Sequence, residues 1–388
     1  IQNVFSAISG GESDAAASTP VSSCANITSQ GSYVLTQNII DSTRTVCINI
    51  SSTNVVFDGA GFTIDGTNVL NSYGVFVRGP GGARRTNITV KNVVVKDWYN
   101  GIYFFNTSNS VIKSTNPSKS RRGIYLLQSN LNNVTSNTAI GYDNSSSDTG
   151  IRVELSHNNT ISNNIANSNW VFGIYVINSN NNSIVKNTAN NQGQGIELDL
   201  TSLNNLLVNN TIFLNKYGIN LEFSARNNSI VNNSVTFNQY GIRLGSNWNL
   251  VKDNVIKNNG DYNPPYYLRG SGIWVGSLVQ GNTIYNNLLE NYNYFYQENV
   301  NVEFQTGTIS SNSWNTTKQA RKSIVNGPYL GGNYWGGQGG FSVNCNDADG
   351  DYICDSSYVL ATGNIDYLPL KNFPDKDGDG IPDPTDNC

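Results

Sequence analysis

Three consecutive stretches decide the fold: Gly173-Ile174-Tyr175-Val176 with Ile184-Val185-Lys186-Asn187, Gly195-Ile196-Glu197-Leu198 with Leu207-Val208-Asn209-Asn210, and Gly218-Ile219-Asn220-Leu221 with Ile230-Val231-Asn232-Asn233. They are one sentence written three times. The same Gly-Ile pair stands at 101, 123, 150, 173, 195, 218, 241 and 272, so the step is 22 or 23 residues except where 27 or 31 marks an insertion. Gly74-Val75 adds a copy upstream. Each unit is split into apolar runs of three to five residues, too short for helices, and a period this short with such runs signals a solenoid of strands. Alternation in period two places Ile219, Leu221 and Phe223 on one face and Asn220 and Glu222 on the other.

A second landmark is an Asn three places after an aliphatic residue: Asn137, Asn164, Asn187, Asn210, Asn233, Asn254 and Asn287. Asn tolerates left-handed backbone angles and bonds local backbone groups, so these residues are expected to turn the chain at corners and to stack as an amide ladder. About eleven coils rising ~4.8 Å each predict a rod ~50 Å long.

This Gly-Ile and Asn grammar resembles the right-handed parallel β-helix repeat of the NosD-like family. Gly331-Gly332-Asn333-Tyr334-Trp335-Gly336, the acidic run Asp347 to Asp351, and Asn364-Ile365-Asp366-Tyr367-Leu368-Pro369-Leu370 resemble that family's closing segment. The resemblance implies an all-β, right-handed parallel β-helix over roughly residues 50 to 372. It says little about function, because such folds serve enzymes, binding proteins and structural proteins alike.

The expected organisation is an N-terminal arm at 1–20, capping coils at 21–70, regular coils at 71–325, a C-terminal cap at 326–372 and a terminal acidic loop at 373–388. Only 13% of the 388 residues are charged and the net charge is −4, which excludes a basic stripe for nucleic acid and a polybasic patch for membranes. No apolar run reaches the ~18 residues of a membrane span. Residue 1 opens no signal peptide and Met is absent, so the sequence reads as a processed chain.

Five cysteines imply an oxidising compartment. Cys24 and Cys47 lie one coil apart, Cys345 and Cys354 flank a short acidic loop, and these two pairs are the expected bridges, with Cys388 left over. Asn-X-Ser/Thr sequons occur at Asn26, Asn49, Asn87, Asn106, Asn133, Asn144, Asn158, Asn181, Asn209, Asn227, Asn232 and Asn315. Asn158, Asn181 and Asn227 each precede a ladder Asn by six residues, which predicts a glycan column along one edge.

The C-terminal run carries oxygen ligands at the spacing of a Ca2+ loop: Asp375, Asp377, Asp379, the Ile381 carbonyl, Asp383 and Asp386. It resembles a thrombospondin type 3 repeat, a kind of repeat that comes in series, so the native chain is expected to continue past Cys388. Asp347, Asp349, Asp351 and Asp355 repeat part of that spacing and form a second Ca2+ candidate. Copper fits poorly, since its sites draw on His, Met and Cys, and the single His157 lies in a turn.

The residue after each Gly-Ile forms an outward column: Tyr103, Tyr125, Arg152, Tyr175, Glu197, Asn220, Arg243 and Trp274. Two places on come Glu154, Asp199 and Glu222. If the protein is an enzyme, Glu197, Asp199, Glu222 and Arg243 are the catalytic candidates, as carboxylates for general acid and base work on a glycan, with aromatic rings stacking on sugars. The first expectation is different: a non-enzymatic secreted cell-surface glycoprotein of archaeal or bacterial type, stiffened by Ca2+ and self-associating through the 1–20 arm into a filament or lattice. A carbohydrate-binding or carbohydrate-cleaving protein is the alternative.

Overall fold

The computed structural model describes residues 18–141, 148–262 and 268–372. The chain winds as a parallel β-helix whose wall is three parallel sheets of twelve strands each. Sheet 1 runs from Thr19–Val21 to Thr283–Tyr285, sheet 2 from Ile39–Ser42 to Tyr334–Trp335, and sheet 3 from Ala25–Ile27 to Val302–Phe304. Within a regular coil the chain visits sheets 1, 2 and 3 in turn, for example Ile88–Lys91, Val94–Lys96 and Asn100–Phe105. Strands of the regular coils pair in register with their counterparts one coil away, while Ile39–Ser42 in the cap shifts register against Thr63–Gly66.

The glycine of each Gly-Ile pair has a steric cause. A Cβ built on Gly195 would sit 2.6 Å from the Gly218 carbonyl oxygen, and one on Gly218 would sit 2.5 Å from that of Gly241. Adjacent coils touch backbone to backbone there, so no side chain fits. The next residue points inward, and Ile102, Ile124, Ile151, Ile174, Ile196, Ile219, Ile242 and Ile273 form a fully buried column.

The amide ladder exists, with one change of role. Each backbone N–H of Asn137, Asn164, Asn187 and Asn210 donates to the Oδ1 of the ladder Asn one coil on, at 2.9–3.0 Å. These side chains point inward and are buried. The left-handed turn falls on the residue before: Asn163, Lys186, Asn209 and Asn232 all have φ between 54° and 57°. Two further ladders accompany it. One runs through Asn159, Asn182, Asn205, Asn228 and Asn249, the other through Asn215, Asn238, Asn259, Asn291 and Asn301.

Phe223 departs from the expected alternation. Its strand ends at Leu221, and Phe223 takes a left-handed turn (φ 48°) that leaves it 69% exposed rather than in the core. At the C-terminal end, the buried Trp314 and Trp335 close the core with Phe304, Phe341 and Tyr358 packed beside them. The ladder ends there on a carboxylate: Asp366 Oδ2 accepts from the Asn333 N–H and the Trp335 indole, both at 2.8 Å.

Both expected disulfides form, Cys24 with Cys47 and Cys345 with Cys354. The chain therefore belongs in an oxidising compartment. Residues 1–17 of the arm, Asn144, and the terminal loop with Asp375, Asp377, Asp379, Ile381, Asp383, Asp386 and Cys388 lie outside the described residues.

Candidate functional site

Strand register on sheet 3 assembles the outward column named above, Tyr103 beside Tyr125, Arg152, Tyr175, Glu197, Asn220, Arg243 and Trp274 in successive coils. The second column aligns Glu154, Ile177 and Asp199. Glu222 follows directly after Leu221, on the next coil.

Toward the N-terminal end the face is aromatic. The rings of Phe76, Tyr103 and Tyr125 stack at 5.1 and 4.7 Å, within 12° of parallel. Because the rings stack along the rod, their flat faces cover one another, and Tyr103 and Tyr125 are buried. Sugar stacking on those faces, expected from the sequence, has no free face to use in this run. The ladder stiffens the wall instead.

Beyond Tyr125 the face becomes an ion-paired network. Glu154 Oε2 accepts from the Tyr125 hydroxyl at 2.7 Å and from the Arg152 guanidinium at 2.8 Å. Burial alone would raise the pKa of Glu154, but these two partners hold it below the usual range. The Tyr175 hydroxyl donates to Asp199 Oδ2 at 2.7 Å, while its ring lies on Phe172 at 4.2 Å and under the Arg152 guanidinium at 5.0 Å.

Asn220 is the junction of the next coils. Its amide donates to Gln194 Oε1 (2.7 Å), Glu197 Oε2 (3.1 Å) and Glu222 Oε1 (3.3 Å), and its oxygen accepts from Arg243 (3.2 Å). Arg243 also pairs with Glu222 and lies over the Trp274 ring at 4.4 Å. Glu197 is the outlier. It is only 4% exposed, and burial, with Asp199 and Glu222 nearby, pushes it up to about 8. At neutral pH it is a carboxylic acid with a proton to donate. Burial and the Asp199 bond likewise hold the Tyr175 hydroxyl protonated.

The structure thus brings the candidates Glu197, Asp199, Glu222 and Arg243 onto one face. Gln194, which sequence reasoning passed over, belongs with them. Its signal was its place immediately before a Gly-Ile pair, which forms a third outward column with Arg122, Phe172 and Tyr217.

Elsewhere, Asp347, Asp349 and Asp355 bring carboxylate oxygens within 4.8 Å of one another. Asp351 turns to an ion pair with Lys318. Among the described sequons, Asn26, Asn87, Asn133, Asn158, Asn181, Asn209, Asn227 and Asn232 are exposed, and Asn49, Asn106 and Asn315 are half-buried. Asn158, Asn181 and Asn227 occupy one corner column, each directly before a buried ladder Asn.

Fold and face together define a parallel β-helix with a polar, internally paired outer sheet. The chain belongs to the NosD family, described as periplasmic copper-binding protein, which matches residues 7–192 and 143–340. No curated protein matches the sequence. Among solved structures, the chain resembles the Dettilon tailspike protein (18% identity, TM-score 0.57) over 74% of this chain and 60% of the tailspike. It also resembles the A-module of the Azotobacter vinelandii mannuronan C-5 epimerase AlgE6 (16% identity, TM-score 0.55) over 73% of this chain and 89% of that one. At these identities the likeness shows the fold.

The copper of the family's description finds at most one histidine nitrogen, Nε2 of His157, and no clustered set of His, Met or Cys donors among the described residues. Four cysteines are in disulfides, Met is absent, and Nδ1 of the single histidine, His157, accepts the Asn180 N–H at 3.0 Å. No helix among the described residues is long and apolar enough to cross a membrane.

Proposed function

We propose that this chain is a secreted polysaccharide-binding protein that lays a neutral, hydroxyl-rich glycan along sheet 3, over the coils from Arg152 to Trp274. The carrying observation is the charge state of that face. Two guanidiniums, Arg152 and Arg243, are already paired with Glu154 and Glu222, Asp199 adds a further carboxylate, and Glu197 holds its proton. A polyanion would meet slight repulsion there, whereas sugar hydroxyls would find the half-buried Arg152, Glu154, Asp199, Glu222 and Arg243 along coils ~4.8 Å apart. The fold is also one on which a mannuronan epimerase is built. Mannuronan itself, a polyanion, suits this face less well.

Affinity electrophoresis in gels cast with neutral or acidic polysaccharides tests the proposal. Retardation is expected in at least one neutral glycan, and the Asp199→Asn/Glu222→Gln double variant is expected to weaken it about a hundredfold or more, since each lost charged hydrogen bond is worth ~1.5–3 kcal/mol. Melting curves of the variant control for folding. Retardation only in acidic gels, or unchanged in the variant, overturns the reading. Release of new sugar ends in the same samples would extend it to cleavage, with Glu197 as proton donor and Asp199 or Glu222 as base.

Calcium enters as a structural ion. The 345–354 loop is closed by its disulfide and shaped by its own carboxylates, with Asp347 accepting from the Asp351 and Tyr352 N–H groups at 3.1 Å each. Asp347, Asp349 and Asp355 would hold Ca2+ through oxygen ligands. In residues 18–372, millimolar Ca2+ is expected to raise the melting temperature by about 2–4 °C and chelator to reverse it. Asp347→Asn/Asp349→Asn should abolish the shift, and a wild-type protein indifferent to Ca2+ would remove the site.

A further inference from the structure

We infer a second, separate carbohydrate site: a basic pocket on the flank of the rod that takes an anionic sugar unit, one bearing a carboxylate or sulfate. A cavity of about 530 Å³ lies where strands Leu206–Val208, Ser229–Val231 and Leu250–Lys252 of sheet 1 end and turn toward sheet 2. Its outer wall is the returning tail segment, residues 321–324. This is a different corner from the face described above.

The wall is fixed in place. Ile324 N–H donates to Asn286 Oδ1 at 2.9 Å, Ser323 N–H to the Gly327 carbonyl at 2.9 Å, and Asn286 N–H to the Gly332 carbonyl at 2.7 Å. A pocket held by backbone hydrogen bonds is largely preformed, so little ordering entropy opposes a ligand.

Its charge is unbalanced. Asp253 is the one carboxylate in the lining, and it is satisfied by Lys252 at 2.9 Å and the Asn286 amide at 2.6 Å. That leaves Arg321 and Lys322, both exposed and with no described carboxylate in ion-pair range. The lining thus sets three cations, Lys252, Arg321 and Lys322, against one carboxylate, a local excess of positive charge in a protein of net charge −4. An arginine fork matches a carboxylate or sulfate bidentately, and a neighbouring lysine adds a point charge.

The remaining lining suits the body of a sugar. Asn232 donates to Asn209 Oδ1 at 2.6 Å, which leaves the Asn209 amide hydrogens and Asn232 Oδ1 turned to no described partner. They offer a donor and an acceptor for ring hydroxyls, while Val208 and Val231 supply an apolar patch for a sugar's C–H face. The volume lies in the range of small-ligand sites. Nothing in this pocket depends on the reading of sheet 3.

The test uses the whole chain, titrated calorimetrically with a galacturonic acid tetrasaccharide, a sulfated oligosaccharide of similar length and a neutral glucan tetrasaccharide. Binding of at least one anionic probe is expected, at least tenfold tighter than the neutral one and weakened by added salt. Arg321→Ala/Lys322→Ala should weaken it about tenfold or more, as loss of a charge-assisted pair does. Lys113→Ala, an exposed lysine on an earlier coil, should leave it unchanged. The proposal is overturned if no anionic probe binds, if the neutral probe binds equally, or if the double variant binds as well as the wild type. It is overturned too if the native protein carries a glycan at Asn209 or Asn232, which would occupy the pocket covalently.

Discussion

Asn210→Ala is expected to lower stability by roughly 3–5 kcal/mol, the range for stranding several buried polar groups at once. The Asn210 side chain is an internal rung. Its oxygen accepts from the N–H and the amide of Asn187 at 2.9 and 3.1 Å, and its own amide donates to the Ile184 carbonyl and to Asn233 Oδ1, both at 2.9 Å. Alanine removes all four bonds and leaves two donors and a carbonyl buried without partners. Asn210→Asp should be at least as damaging, because it replaces both donated bonds with lone pairs facing oxygen.

The neighbouring residue supplies the contrast. Asn209 sits at φ 57° on the surface, so Asn209→Gly, which keeps that backbone conformation available, should change stability by less than about 1 kcal/mol. Thermal or denaturant melts of the three variants decide the matter. Equal, small losses at 209 and 210 would mean that the ladder is decorative rather than structural. Because each coil contacts only its neighbours, a broken rung is also expected to split the melt into two unequal transitions, one on either side of coil 210.

This rung shows how much the sequence discloses and where it stops. The Gly-Ile pairs and the Asn in step with them are legible because both are enforced by contacts between identical positions of adjacent coils: a carbonyl that excludes Cβ, and an amide that must meet another amide. Register then follows, and with it the alignment of Arg152, Tyr175, Glu197, Asn220 and Arg243, since residues one repeat apart are neighbours in space. The other two ladders were hidden by the abundance of Asn, which dilutes any single position's signal. One of them obeys the same rule, with Ile212, Val235, Ile256 and Leu288 three places before Asn215, Asn238, Asn259 and Asn291, whereas the other has Ser or Ala there: Ser156, Ser179, Ser202, Ala225 and Ser246.

Other features are not local properties of a repeat at all. Whether Phe223 continues a strand or begins a turn depends on where the ladder hydrogen bonds stop, and alternation alone put it in the core. The stacking of Tyr103 on Tyr125 turns ring faces away from solvent, an outcome of side-chain packing between coils. The basic pocket joins Val208 to Arg321 across more than a hundred residues, through a tail that has no period. Copper was disfavoured from composition, and the two disulfides further withdraw four cysteines from any such site.

Glu197→Gln should pass from neutral to stabilising as pH rises, and it carries the largest pH effect expected here. In the unfolded chain Glu197 titrates near its ordinary 4.5, whereas in the fold burial raises it to about 8. Below the unfolded value both states hold the proton, so the group's contribution to stability is fully present. As pH rises, the unfolded state releases its proton while the fold retains it, and stability falls by ~1.4 kcal/mol per pH unit until the folded value is passed. Across that window the loss is on the order of 4–5 kcal/mol. Glutamine keeps an oxygen for the Asn220 amide, now at 3.1 Å from Glu197, and has the shape of the protonated acid at every pH. The variant should therefore match the wild type near pH ~4.5 and exceed it by several kcal/mol near pH ~8.5. Asp366, pushed up to about 7 by burial, titrates in the same direction in both proteins and cancels in the difference. Denaturant melts at several pH values measure that difference directly. A wild-type minus variant gap that moves by less than about 1 kcal/mol over the range would show that Glu197 is not held protonated. The face would then carry one more negative charge, which counts against the neutral-glycan reading.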